Sequence, residues 1–157
     1  MSLREIGERP YIICEDAIKH AGLVLTRTNA ATAGNAVLVD TDKEVPMGIT
    51  VESTYDQVAR DGTYLTNQYV PYIREGECDL VLASDNAEIV AGDDLMAVQD
   101  GATEDGVVDK LTIRTDSAAN LLADLRARVG VAMEPAAALA GATYGTMIHA
   151  VLTIING

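Results

Sequence analysis

Gly48-Ile49-Thr50-Val51-Glu52-Ser53 and Gly130-Val131-Ala132-Met133-Glu134-Pro135 are two copies of one short phrase. Each reads glycine, β-branched residue, small residue, apolar residue, glutamate, breaker. A second shared phrase lies upstream of each. Ala33-Gly34-Asn35-Ala36-Val37-Leu38-Val39-Asp40 resembles Ala91-Gly92-Asp93-Asp94-Leu95-Met96-Ala97-Val98-Gln99-Asp100. In both, Ala-Gly and a polar residue introduce an apolar strand that ends near an aspartate. The upstream phrase recurs at an offset of 58 (91 − 33) and the glycine phrase at 82 (130 − 48), so the later copy is expected to carry 24 extra residues between its phrases. Their common order points to an internal repeat, which changes any fold assignment. The expected units are about 11–62 and 63–157, behind a polar arm at 1–10.

Outward from these phrases the chain reads as short strands separated by turn signals. Expected strands before the first glycine phrase are Tyr11 to Cys14, Leu23 to Thr28 and Ala36 to Val39, with Glu15 to His20 a helical turn or a loop. Asp40 to Glu44 reads as a charged turn, and Met47 to Val51 as the strand that carries the phrase. A brief helix over Tyr55 to Asp61 and a strand over Thr63 to Thr66 follow. Pro71 demotes the next segment to an edge strand or a connection, because proline lacks the donor a central strand needs.

In the second half, strands are expected at Cys78 to Ala83, Ala87 to Ala91, Leu95 to Val98, Leu111 to Arg114, Val129 to Met133 and Met147 to Ile155. The last alternates with apolar residues on both faces, which predicts a central strand covered on both sides. Asp100 to Asp109 reads as an acidic surface loop, and Pro135 to Gly145 as an Ala/Gly loop. One helix is expected, Ala118 to Arg128, with an N-cap at Asp116 or Ser117 and one face marked by Leu121, Leu122 and Leu125. The fold class is mainly β, a barrel or sandwich from two related β-rich halves, with one helix in the second.

The 157 residues fit one domain or two closely packed halves. A chain of this length buries roughly 68–70 % of its unfolded surface, so it needs no disulfide or metal to fold. Six tyrosines, without phenylalanine or tryptophan, leave the core to aliphatic side chains. The net charge of −13 sets eleven basic residues against twenty-four acidic ones, and only Lys19, Lys43 and Lys110 are lysines. Such a surface repels phosphate backbones, which argues against direct nucleic-acid binding. Acids spread along the chain, few lysines and much alanine fit a protein that works in high salt, where screening removes the self-repulsion.

Cys14 and Cys78 are the only cysteines. They form either a disulfide or, as a chain able to build its own core favours, two buried thiols. No basic-then-apolar leader opens the sequence, and the longest apolar stretches fall short of a membrane span. The expectation is a soluble protein with no membrane partner.

The sequence holds no phosphate loop, nucleophile elbow or His-Glu-x-x-His pattern. No catalytic, cofactor-binding or metal-binding residue is assigned, and no cofactor is expected. His20 and His149 are the only histidines, and His149, alternating within an apolar strand, is expected to be a satisfied core or interface residue. Asp40 to Glu44 fails as a calcium loop: Val45 stands where the turn glycine belongs, and Val51 where the bidentate glutamate belongs. Asp100, Glu104, Asp105 and Asp109 could gather a hard cation, against the plainer reading of a solvated acidic loop. Tyr64, Tyr69 and Tyr72 could stack on a sugar or a partner, against the plainer reading of bulky core residues.

The paired phrases also carry a family resemblance. Ala91-Gly92-Asp93-Asp94-Leu95, an acidic loop, Val129-Gly130-Val131-Ala132-Met133-Glu134, an Ala/Gly loop and Ile148-His149-Ala150-Val151-Leu152 together resemble the capsid cement or head decoration proteins of tailed phages. Ala33 to Glu52 is a weaker first copy. The arm before Tyr11, the segment Gly106 to Arg128 and the acidic surface depart from that pattern. The resemblance implies a non-enzymatic virion protein on the capsid exterior, made in the host cytoplasm, bound to the major capsid protein and often a symmetric oligomer. Trimers are favoured, because capsid lattices offer threefold positions. The acidity implies a virus of a halophilic archaeon. Arg4 and Arg9 of the arm could lie on an acidic shell. The alternatives are a tail or vertex subunit and a small carbohydrate-binding module.

Overall fold

A computed structural model describes residues 10–51, 66–100, 104–140 and 146–155. The strands are β1 (Tyr11–Cys14), β2 (Val24–Thr26), β3 (Val37–Leu38), β4 (Gly48–Thr50), β5 (Gln68–Ile73), β6 (Glu77–Val81), β7 (Asp94–Asp100), β8 (Glu104–Lys110), β9 (Arg128–Ala132) and β10 (Met147–Leu152); the helix is α1 (Ala118–Ala127). They form two five-stranded antiparallel sheets, ordered β1-β5-β4-β2-β3 and β6-β10-β9-β7-β8. The second order is the first shifted by five. Each sheet curls until its edges meet, through the parallel bridges Cys14↔Ala36 and Leu82↔Val108. The fold is therefore mainly β, built from two related halves with one helix in the second.

The two halves agree in register as well as in order. Val24 pairs with Ile49 and Leu25 with Gly48, as Asp94 pairs with Val131 and Leu95 with Gly130. Ile12 faces Val70 as Leu80 faces Ile148. Gly22 N–H donates to Thr50 O at 2.8 Å, and Gly92 N–H to Ala132 O at 2.8 Å.

The glycine phrase thus marks equivalent strands, β4 and β9, but the upstream phrase was matched one strand out of place. The counterpart of Ala91-Gly92 is Ala21-Gly22, not Ala33-Gly34, and Gly22 and Gly92 share a left-handed backbone, φ 90° and 95°. Gly34 (φ 89°), ahead of β3, instead corresponds to Gly106 (φ 77°), within β8. The extra length between phrases is then 12 residues, (130 − 92) − (48 − 22), rather than 24. Ten of these fall between the third and fourth strands of the unit, where the ten-residue α1 stands.

Several segments differ from expectation. The first sheet continues through β5, so the halves divide at the turn after Ile73 rather than at 62/63. Although it contains Pro71, β5 lies between β1 and β4. Tyr72 N–H donates to Pro10 O on the β1 side. Pro71 faces the other side, where its O accepts from Val51 N–H just past the end of β4. The missing proline donor therefore falls at the last bonded position of that ladder, where only one bond is lost.

Most of the stretch expected as an acidic loop is strand β8, which forms a hairpin with β7 and buries Val107 and Val108 between its acids. Ala87 to Ala91 reduces to the single bridge Ile89↔Ala136, and Leu111 to Arg114 is not a strand. Glu15 to His20 is a loop. The proposed helix at Tyr55 to Asp61 and residues 63–65 of the following strand lie outside the described residues.

Two apolar clusters form the core, and each draws on both halves. Ile12, Leu25, Val70 and Tyr72 of the first half pack with Val81, Ala83 and Val107 of the second. Leu80, Leu95 and Ile148 of the second pack with Val24, Val39 and Ile49 of the first. Inside each half, one glycine sets the spacing. A Cβ at Gly130 would stand 2.7 Å from Val151 O, and one at Gly48 would stand 2.5 Å from the Tyr72 ring and 3.1 Å from Ile73 O. Gly130→Ala is expected to destabilise the fold by about 1–3 kcal/mol, because backbone rather than a movable side chain opposes the added methyl. Equilibrium urea unfolding checks this.

Candidate functional site

Strand pairing builds one outward-facing aromatic surface. In β1 and β5, Tyr11 lies opposite Pro71 and Ile13 opposite Tyr69. Alternation sends Ile12 and Val70 into the core and leaves Tyr11 45 % and Tyr69 52 % exposed, with Ile13 half-buried between them. The expected Tyr64, Tyr69, Tyr72 group does not form. Tyr72 turns inward and is buried, Tyr69 turns outward, and Tyr64 lies outside the described residues. Tyr11 shares the outward face with Tyr69 instead, an arrangement across 58 residues that short-range spacing cannot reveal.

The matching face of the second half, on β6 and β10, carries Asp79, Val81, Met147 and His149. His149 is not a core residue. β10 is central in its sheet but covered on one face only, with Ile148, Ala150 and Leu152 inward and Met147, His149 and Val151 outward. His149 Nδ1 lies 2.9 Å from Asp79 Oδ1, its Nε2 lies 3.6 Å from Glu77 Oε2, and its N–H donates to Glu134 Oε1 at 3.0 Å. The hydrogen bond to Asp79, helped by Glu77, raises the imidazole above its ordinary pKa of 6.5. A group raised on folding stabilises fully below its unfolded pKa and loses that contribution as pH rises through the folded one. Melting temperature is therefore expected to fall as pH climbs from 6 to 8, and His149→Gln should flatten that slope; thermal melts across the range read it directly.

A buried carboxylate organises the helix. Asp124 on α1 is wholly buried and accepts from Arg114 N–H at 2.8 Å, Arg114 Nε at 2.9 Å and Nη2 at 2.9 Å, and Lys43 Nζ at 3.0 Å. The paired Arg114 bonds, with Lys43 added, hold its carboxyl well below the usual range. Ser117 caps the helix, its Oγ accepting from Asn120 N–H at 3.1 Å. The leucine face expected to seat the helix is only partly used: Leu121 and Leu125 are half-buried and Leu122 is exposed, while Asp124 and Ala127 are buried. Asp124→Asn leaves two cations under-compensated and is expected to lower the melting temperature by roughly 5–10 °C, measured by calorimetry.

Lys43 belongs to the charged turn at 40–44, which straps the halves together. Its N–H reaches Ala97 O at 3.4 Å, and Gln99 N–H reaches Asp42 Oδ1 at 3.4 Å.

Of the four candidate cation ligands, Asp105 and Asp109 are engaged separately. Asp109 accepts from Ala87 N–H at 2.9 Å and Lys110 N–H at 2.6 Å, and burial, with Asp85 and Asp42 nearby, raises its pKa. Asp105 instead acts on Glu44. Asp100 and Glu104 are paired across the hairpin. Among the described residues no group of three or more histidine, cysteine or acidic side chains is placed to hold a metal. Cys14 and Cys78 are free thiols in separate clusters, pushed by burial to pKa values of about 12 and about 11.

No family model and no curated protein matches this chain. Among the described residues no helix is long and apolar enough to cross a membrane.

Proposed function

We propose that this chain is a structural, non-enzymatic virion protein that binds the outer face of a capsid shell, with the major capsid protein as its partner. The observation that supports this reading most is the rigid outward face of β1 and β5. Tyr11 and Tyr69, both exposed, and the half-buried Ile13 form an apolar surface there on a protein of net charge −13. Aromatic side chains on a hydrogen-bonded ladder suit docking to another broad protein surface, because little side-chain entropy is lost on binding. The resemblance of the repeated phrases to tailed-phage decoration proteins adds the capsid, and the acidity adds a high-salt host. Symmetric self-association, with trimers favoured, belongs to the same reading.

A carbohydrate-binding module is the second reading, since Tyr11 and Tyr69 could also stack on sugar rings. Quantitative mass spectrometry of purified virus particles from the source culture separates the possibilities. Copy numbers comparable with the major shell protein are expected. A few copies per particle would move the chain to a tail or vertex, and its absence would overturn the virion reading.

A further inference from the structure

The contact between the halves is directional. Gly22, at the start of β2, receives Val81 N–H on its O at 3.1 Å, and a Cβ there would stand 2.6 Å from Asp79 O and 2.8 Å from Met147 Cε. Beside it, Gly106 N–H donates to Val39 O at 2.7 Å, and a Cβ there would stand 2.9 Å from Val24 O. So the β6–β8 side of the second half sits on the β2–β4 side of the first. Both halves are the same unit, so each side occurs twice in the chain, and one copy of each is left over.

The leftover sides keep the features of the occupied ones. Gly92 stands where Gly22 does, with the same left-handed backbone, but it is exposed and has nothing within 4 Å of a Cβ position. Gly34 stands where Gly106 does, again exposed and open. Positive φ alone favours glycine at all four positions; what separates the pairs is that two are covered and two are not. The register that places Asp79, Val81 and Met147 against Gly22 places Tyr11, Ile13 and Tyr69 on the uncovered side. Around Gly92, the exposed Val90 and Met133 and the half-buried Val131 form an apolar receiving surface.

We propose that a second copy of this chain docks head to tail, its Tyr11–Ile13–Tyr69 face and Gly34 loop seated on the Gly92 side of its neighbour. Tyr69 then takes the place of Met147. Ile13 N–H, turned away from β5 by the alternation that sends Tyr72 N–H to Pro10 O, meets Gly92 O as Val81 N–H meets Gly22 O. Glu15 holds the Gly34 loop in shape, accepting from Ala31 N–H at 2.7 Å, Thr32 N–H at 2.9 Å and Asn35 Nδ2 at 3.0 Å.

The outer contact is more polar than the inner one. Asp94, paired with Arg128 at 3.2 Å, replaces Val24, and Glu15 replaces Ala83. That difference makes the outer contact reversible, and the net charge makes it dependent on salt. A heterologous contact of this kind closes a ring or runs on as a line.

This deepens the self-association in the reading above while resting on the internal repeat alone; it assigns the Tyr11–Tyr69 face to that self-association, so docked copies meet the shell through another face. Particle composition tests the capsid role, and the following experiment tests the faces, so either can fail by itself. Chains carrying Tyr69→Cys and chains carrying Ala91→Cys, both exposed positions, are checked for native circular dichroism, mixed in molar salt and treated with a short bismaleimide. Cross-linking is expected in the mixture and not in either variant alone. Light scattering of the unmodified chain should give at least twice the 16.6 kDa monomer mass, and Tyr69→Arg should return it to the monomer. A monomeric unmodified chain at all concentrations, or Tyr69→Cys chains that cross-link to one another without the second variant, would overturn the proposal.

Discussion

The backbone contact at Gly22 and Gly106 is the constraint on which the rest of the structure depends. Five very short strands curled into one half leave several apolar side chains on the outside, and a half alone has no second layer to cover them. Val24, Val39 and Ile49 point out of the first half, and Val81 and Val107 out of the second. Bringing main chain against main chain at two glycines lets these side chains interlock. Each half then completes the other's core, and neither cluster belongs to one half alone. The turn at 40–44 and its Lys43–Asp124 pair close the same seam from the side.

The duplicated unit also explains where the surface carries chemistry. The same strand faces occur twice but are used differently. On β6 and β10 the face is partly spent on the inner contact, and its remainder holds His149 between Asp79 and Glu77. On β1 and β5 the equivalent positions hold Tyr11, which is exposed, and Pro71, which is buried. The same backbone thus presents an aromatic, uncharged face on one half and a titratable one on the other. α1 occupies the place where the halves differ most in length, and it adds to the second half without disturbing the shared sheet order.

Much of the architecture was legible in the sequence, for identifiable reasons. Gly48 and Gly130 stood out because close backbone approach demands glycine, and they mark the same strand in both halves. The boundaries of β1 are those read from Tyr11-Ile12-Ile13-Cys14, and α1 begins after its Ser117 cap. The upstream phrase misled because Ala-Gly occurs at 33–34 as well as at 21–22, and the longer apolar run drew the match to the wrong one. Residues 104–110 were hidden as a strand by their acids, and β5 by a proline that costs only one bond at the end of the β4 ladder. The surface at Tyr11 and Tyr69 was not legible, because it exists only once β1 and β5 are paired. His149 was misplaced because an apolar alternation on both faces resembles a doubly covered strand, and its acidic partners lie on β6 and at Glu134.

The central claim is that two copies of one five-stranded unit are docked through backbone contacts at Gly22 and Gly106. Native-state hydrogen exchange at single-residue resolution tests it most directly, at the amides of Val81 and Gly106, which cross from one half to the other. The account predicts that both exchange only with global unfolding, as slowly as amides within β9 and β10. Fast exchange at Val81 and Gly106, with each sheet's own amides still protected, would contradict it.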